Sequence, residues 1–183
     1  MARLYMVRHG RASAGFGESM DPGLDLLGKS QAEDVAARLQ SLGPLAIVSS
    51  PLARARETAA PLAKLWNTAP TIEPAVAEIP SPSVNLQERV AWLRKFMAGS
   101  WQDASPALAA WRMNAVATLL SRRADTVVFS HYIAINVAVG AAERDDRVVV
   151  FSPDNCSVTI FNVEDGTLKV VERGFEAPLT KVN

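Results

Sequence analysis

The chain has 183 residues, of which 49% are hydrophobic and 21% are charged. This length and composition allow a single domain with a full apolar core and exclude a chain that is disordered throughout. Lysine plus arginine and aspartate plus glutamate each number 19, and the resulting formal net charge of zero argues against a nucleic acid or a membrane surface as partner.

Cysteine content and hydropathy bear on the cellular compartment. The one cysteine, Cys156, excludes an intrachain disulfide and a cysteine metal cluster, and it is compatible with a reducing compartment. No apolar stretch has the length of a membrane span, and none near the N-terminus resembles a signal peptide. We therefore expect a soluble, cytoplasmic protein that forms one domain over residues 1–183.

The first predicted element is an apolar strand, residues 4–7, that runs directly into Arg8, His9 and Gly10. Open α/β sheets bind their ligands at the carboxyl ends of strands. Arginine presents a planar, charged fork that matches phosphate, and histidine acts as nucleophile, base or acid near neutral pH. The end of this strand is therefore a candidate site.

The next two helices are predicted from their end signals. After a small polar loop over residues 11–23, the first helix is expected to begin near Asp25 as N-cap. A short apolar strand, residues 45–48, precedes the second helix, for which Ser50 is the expected N-cap. This helix carries Arg54 in its first turn, at the carboxyl end of a strand.

The middle of the chain is predicted to hold a weak edge strand and a helical block. Residues 70–78 read as the strand, and Glu78 at its end is the first acidic residue able to join the site. Residues 81–123 show helical periodicity and contain three tryptophans. We expect this block to pack against the sheet, with a lid over the site as the functional alternative.

The last third of the chain contains a clear buried strand, residues 126–129, that ends in Ser130 and His131. A helix of small and aliphatic residues follows over 133–141. Three closing strands are then predicted, at residues 148–151, 157–163 and 168–172.

Two histidines, two arginines and one glutamate thus follow strand ends, and parallel neighbouring strands would bring them to one edge of the sheet. A neutral imidazole is a competent nucleophile toward phosphorus, guanidinium groups neutralise the phosphoryl oxygens, and a carboxylic acid protonates the leaving group. Metal ligation by the histidines and glutamate is the less favoured alternative, because adjacent arginines repel a cation. No Gly-x-Ser-x-Gly elbow indicates a serine hydrolase.

These residues lie in motifs that resemble those of the histidine phosphatase superfamily, also called the phosphoglycerate-mutase-like family. Arg8-His9-Gly10 resembles its signature. Residues 49–59 are similar to its second motif and read Ser-Ser-Pro-Leu-Ala-Arg-Ala-Arg-Glu-Thr-Ala. This match selects Arg54 over Arg56 as the phosphate ligand. Further similar stretches are residues 24–32, 130–131 and 152–159.

The resemblance implies an α/β fold, a three-layer α/β/α sandwich with a mostly parallel central sheet. It implies that His9 is the phosphorylated nucleophile and that Glu78 occupies the proton donor's place. The phosphate pocket would then consist of His9 together with Arg8, Arg54 and His131, with neither a metal nor another cofactor.

The chain departs from the family pattern at three places. Tyr132 follows the second histidine where the family usually has glycine, and residues 79–82 replace the usual continuation after the glutamate. Residues 11–13, Arg-Ala-Ser, replace a Glu-Ser/Thr pair, which weakens the case for a glycolytic mutase. Ser13 still offers a hydroxyl and is a further candidate phosphate ligand.

The leading hypothesis is a metal-independent phosphomonoesterase that acts through phosphorylated His9 on a phosphorylated small molecule or a phosphoprotein. The alternatives are a phosphoglycerate-type mutase and a catalytically weak phosphate-binding module. Sugar phosphates, nucleotides and phosphoproteins, among them a phosphohistidine on another protein, all stay open as substrates, and the sequence predicts no oligomeric state.

Overall fold

A computed structural model describes residues 1–178 of the chain. Residues 179–183, which the predicted domain includes, lie outside the described part. The strands of the single described sheet are β1 (Ala2–Arg8), β2 (Ala46–Ser49), β3 (Thr71–Ile72), β4 (Thr126–Ser130), β5 (Val158–Glu164) and β6 (Thr167–Glu172). The α-helices are α1 (Leu26–Leu39), α2 (Ala53–Trp66), α3 (Leu86–Met97), α4 (Pro106–Leu120) and α5 (Tyr132–Glu143).

The sheet has the strand order β3-β2-β4-β1-β5-β6. Strands β1 to β4 run parallel to one another, β5 pairs antiparallel with β1, and β6 pairs antiparallel with β5. The predicted mostly parallel sheet is therefore confirmed. Because β1, β2 and β4 are central neighbours, the polar residues that follow them emerge side by side.

Apolar side chains on both faces of the sheet account for the three layers. Alternate strand residues pack in one cluster against α1 and α2, where Val35 and Leu62 are fully buried. The other residues of the same strands pack against α4 and α5, where Leu119 and Ile135 are fully buried. Burial on both faces explains why the central strands are continuous apolar runs rather than alternating ones. The predicted three-layer sandwich is confirmed.

One predicted strand is shorter than expected, although it lies at the edge of the sheet as predicted, and another predicted strand is wrong. Within residues 70–78 only Thr71–Ile72 pairs with β2, because Pro74 then begins a 3-10 turn, Pro74–Val76. Residues 148–151 form no strand, since the backbone N–H groups of Val150 and Phe151 donate to the side-chain oxygen of Asn136 on α5.

The predicted N-cap of α2 is also wrong. The helix begins at Ala53, with Leu52 as N-cap and no side-chain cap. The Ser50 hydroxyl accepts a hydrogen bond from the Leu52 N–H at 3.2 Å but lies before the helix, where it is free to contact the candidate site.

The helical block of residues 81–123 consists of α3 and α4, joined by the 3-10 turn Trp101–Asp103. Its apolar residues, with Trp101 buried at the centre, pack with Ile133 and Val137 of α5 in a third cluster. No helix within residues 1–178 is both long and apolar enough to cross a membrane.

Candidate active site

The carboxyl ends of β1 and β4 bring the two histidines together. Arg8 and Ser130 are register partners, and the His9 backbone N–H donates to the Ser130 carbonyl at 3.0 Å. The imidazole rings of His9 and His131 therefore lie with centroids 5.1 Å apart. Both residues are buried, with 8% and 0% of their surface exposed.

The hydrogen bonds of His9 fix its tautomer. Its Nδ1 lies 2.7 Å from the Gly10 carbonyl oxygen, which only accepts, so Nδ1 carries the proton. Its Nε2 then holds a lone pair, which accepts a hydrogen bond from Nε of Arg54 at 3.2 Å. The neutral ring is thus oriented with its nucleophilic nitrogen toward a guanidinium group.

His131 is held from the opposite side. Its Nε2 lies 2.8 Å from the Ser50 hydroxyl, whereas its Nδ1 is buried without a hydrogen-bond partner among residues 1–178. Burial lowers the pKa of both imidazoles well below 6.5, and the positive charges of Arg8 and Arg54 lower these pKa values further. Both rings are therefore neutral at physiological pH.

The two predicted phosphate-binding arginines lie at the same edge. Arg54, in the first turn of α2, is buried, whereas Arg56 two residues later is exposed. Arg8 donates from Nη1 to the Pro153 carbonyl at 2.8 Å, and its Cζ lies 5.2 Å from the centre of the Tyr132 ring. The Tyr132 ring thus packs against the Arg8 guanidinium group, at the position where the family usually has glycine.

Glu78 is positioned by the start of α5. Its carboxylate accepts hydrogen bonds from the backbone N–H groups of Ile79 at 3.0 Å and Ile133 at 3.2 Å. Burial raises the pKa of this carboxyl group above 4.5, and the two N–H groups, together with the guanidinium groups of Arg54 and Arg8, oppose that rise. Glu78 therefore holds a proton at a higher pH than an exposed glutamate does.

Ser13 makes no hydrogen bond to this group within residues 1–178. It is exposed on the loop, where its backbone N–H donates to the Gly23 carbonyl. Among the hydrogen bonds of residues 1–178, none joins its hydroxyl to the two histidines, the two arginines or Glu78.

Sequence reasoning missed several residues that support the site. The Thr58 hydroxyl accepts the Gly10 N–H at 3.0 Å, and the Asn155 side chain donates to the His9 carbonyl at 2.9 Å. Both lie in stretches that resembled family motifs, so the signal was available. Arg89 of α3 is also buried, and no motif marked it.

The histidines and Glu78 do not form a metal site. Within the described residues, no group of three or more histidine, cysteine, aspartate or glutamate side chains could hold a metal ion. The histidine nitrogens and the Glu78 carboxylate instead lie near the guanidinium groups of Arg8 and Arg54, which suit a bound anion.

Comparison with models of protein families gives a match over nearly the whole chain. The family model described as the histidine phosphatase superfamily, branch 1, matches residues 4–175. A curated relative, the PE-PGRS family protein PE_PGRS11 of Mycobacterium tuberculosis, is 42% identical over 79 residues. That alignment covers 40% of this chain and only 14% of the relative's length.

Solved structures with the same fold include two phosphatases. The phosphoserine phosphatase of Entamoeba histolytica, solved with 3-phosphoglyceric acid, has a TM-score of 0.74, is 22% identical, and covers 96% of this chain and 98% of its own. A mycobacterial glucosyl-3-phosphoglycerate phosphatase, solved with VO3, has a TM-score of 0.72 and is also 22% identical. The alignment covers 97% of this chain and 100% of the phosphatase. At such identities the likeness shows the fold alone.

Proposed function

Because this chain belongs to the histidine phosphatase superfamily, we propose that it is a metal-independent phosphomonoesterase that acts through a phosphohistidine at His9. Membership confirms the resemblance identified from the motifs and the expectation of an enzyme of the histidine phosphatase type. The observation that carries the proposed mechanism is the neutral His9 ring, with its Nε2 lone pair facing Arg54 and the His131 ring 5.1 Å away.

The first half-reaction transfers the phosphoryl group to His9. A phosphoryl group that enters between Arg54 and His9 takes over the Arg54 hydrogen bond and frees the Nε2 lone pair for attack. The new N–P bond forms as the bond from phosphorus to the leaving oxygen breaks, and Glu78 gives its proton to that oxygen. The Gly10 carbonyl, which accepts from Nδ1–H, stabilises the positive charge that the ring gains.

The second half-reaction hydrolyses the phosphohistidine. The Glu78 carboxylate takes a proton from water, the water oxygen bonds to phosphorus, and the N–P bond breaks to return neutral His9. In both steps the guanidinium groups of Arg8 and Arg54 and the His131 ring stabilise charge on the phosphoryl oxygens. The products are an alcohol and inorganic phosphate.

We propose a phosphorylated small molecule as the substrate. The structural relatives named above were solved with 3-phosphoglyceric acid or act on glucosyl-3-phosphoglycerate, which makes compact phosphomonoesters the first compounds to assay. We also propose that the chain forms one domain in which the helical block of residues 81–123 borders the bound substrate.

The test measures phosphate release from p-nitrophenyl phosphate with and without EDTA. We expect turnover that EDTA leaves unchanged and that falls to background in His9→Ala. Arg54→Ala should lose about a hundredfold or more in rate, as loss of a charge-stabilising donor does. Arg56→Ala, which removes an exposed arginine two residues away on the same helix, should retain the rate.

The intermediate is tested separately by trapping. Enzyme quenched in alkali during turnover of a phosphorus-labelled substrate should carry label that acid removes and that is absent from His9→Ala. Undiminished turnover in His9→Ala, or label that stays on that variant, would show that another residue is the nucleophile.

A further inference from the structure

Arg89 is a buried cation outside the proposed catalytic set. It lies on the second turn of α3 with 6% of its surface exposed, whereas Arg94 and Lys95 on the same helix are exposed. Its guanidinium carbon lies 4.0 Å from the centre of the Phe16 ring, a stacked cation–π contact. The loop of residues 11–23 thus covers this arginine from outside.

Within residues 1–178, no acidic side chain forms an ion pair with Arg89. Among the ion pairs of residues 1–178, none places a carboxylate oxygen within 4.0 Å of it. Its Nη1 contacts the thioether sulfur of Met20, a weak and uncharged acceptor, and its Nε is buried without a hydrogen-bond partner. A buried charge without a counter-charge is costly, so an anionic partner would stabilise it.

The same loop contacts both Arg89 and Arg54, the proposed phosphate ligand. Met20 contacts Arg89, and the next residue, Asp21, lies 3.9 Å from Nη1 of Arg54. The loop packs tightly on α3, since a Cβ atom on Gly17 would lie 2.6 Å from Val90. The two buried guanidinium groups therefore border the same short stretch of loop.

We propose that Arg89 binds a second anionic group of the substrate, a carboxylate or a second phosphate, while the reacting phosphoryl group occupies the site of His9 and Arg54. This inference rests on the proposed function for the place of the reacting group. A guanidinium fork forms two parallel hydrogen bonds with either anion, and its burial strengthens them. The preferred substrate is accordingly a compact phosphomonoester with a second negative charge.

The test measures affinity rather than turnover. In the His9→Ala background, calorimetry gives the Kd of two matched pairs of phosphomonoesters: 3-phosphoglycerate with glycerol 3-phosphate, and ribose 1,5-bisphosphate with ribose 5-phosphate. The first pair differs by a carboxylate and the second by a second phosphate. The pair with the larger ratio of Kd values identifies the anion.

We expect the doubly anionic member of at least one pair to bind roughly ten- to a hundredfold more tightly, as hydrogen bonds to a charged group contribute. Arg89→Met, which keeps an unbranched apolar side chain against Phe16, should abolish that preference, and Arg89→Lys should retain part of it. Arg94→Met, which removes the same charge from the exposed face of α3, should leave the preference intact.

Equal affinity within both pairs would overturn the assignment, as would a preference that survives Arg89→Met or no detectable binding of any compound. These outcomes differ from failure of the proposed function, which appears as absent turnover of p-nitrophenyl phosphate by the chain with His9 intact. The preference for a second anion can thus fail while the phosphatase reaction stands.

Discussion

At the level of single residues, Glu78 links burial to chemistry. Its carboxyl group lies near the positive charges of Arg8 and Arg54, yet burial raises its pKa, because removing the carboxylate from water outweighs their attraction. The acid form is the one that protonates a leaving alkoxide. The importance of that proton depends on how basic the leaving group is.

We predict that Glu78→Gln separates substrates by leaving group. The kcat/KM for an alkyl phosphate, which reports phosphoryl transfer to His9 and not the later hydrolysis, should fall about 10²- to 10⁴-fold, the usual contribution of a general acid. The kcat/KM for p-nitrophenyl phosphate should fall much less, since p-nitrophenolate leaves without a proton. Steady-state kinetics with both substrates checks this, and an equal loss for both would show that Glu78 is not the proton donor.

The same variant tests the pH profile of kcat/KM. The pKa of His9 is lowered from 6.5, so loss of the neutral nucleophile on the acid side should occur below pH 6.5. The pKa of Glu78 is raised from 4.5, so activity should fall as rising pH removes its proton. Glu78→Gln should lose this alkaline limb when the same substrate is used. An unchanged limb in the variant would exclude Glu78 as its source.

Residue-level reasoning from sequence located some of these groups for a physical reason. His9 and His131 each end an apolar run, and parallel strands brought those ends together. Arg89 was not predicted, because its burial depends on how the loop of residues 11–23 folds over α3, and no local pattern records that contact. The roles of all these residues remain predictions.

At the level of elements, the start of α1 meets the end of β1 through two glycines. A Cβ atom on Gly28 would lie within 2.1 Å of the Arg11 carbonyl oxygen, and one on Gly10 within 2.5 Å of the Gly28 carbonyl oxygen. Asp25, the N-cap, accepts the Gly28 N–H at 2.7 Å and holds the helix in this place. The contact sets the position of the backbone that carries His9.

We predict that Gly28→Ala destabilises the fold and lowers activity together. The added methyl group collides with backbone rather than with a flexible side chain, so the free energy of unfolding should fall by about 1–3 kcal/mol. Gly15→Ala is the matched control, because its Cβ would find ordinary contact at 3.5 Å from the Glu18 carboxylate. Urea titration measures both variants, and equal midpoints would contradict the close approach.

Helices and strands were predictable where a single local feature of the sequence determined them. Continuous apolar runs identified β1, β2 and β4, and Asp25 marked the start of α1 as the observed N-cap. Residues 148–151 have the same apolar character, yet the Asn136 side chain takes the N–H groups that a neighbouring strand would need. Such long-range competition for hydrogen bonds has no local signature in the sequence.

At the level of the whole molecule, charge is balanced overall but not at the carboxyl edge of the sheet. Arg8 and Arg54 lie there beside two neutral histidines, and burial lowers the pKa of both guanidinium groups. Their mutual repulsion opposes folding, and the acidic groups that oppose this repulsion include the half-buried Glu78. Any anion that binds only the folded chain should therefore stabilise the molecule by mass action.

We predict that inorganic phosphate raises the melting temperature. At 100 times its Kd, phosphate should add about 2.7 kcal/mol, which corresponds to a rise of roughly 5–10 °C for a chain of this size. Arg54→Met should abolish the shift, whereas Arg56→Met should preserve it. A shift that persists in Arg54→Met would locate the phosphate site elsewhere.

We also predict that the helical block of α3 and α4 unfolds together with the sheet. Tryptophan fluorescence reports mainly on that block, so its melting curve should coincide with the curve from far-UV circular dichroism, which reports on the whole chain. Two separate transitions would divide the chain into two folding units.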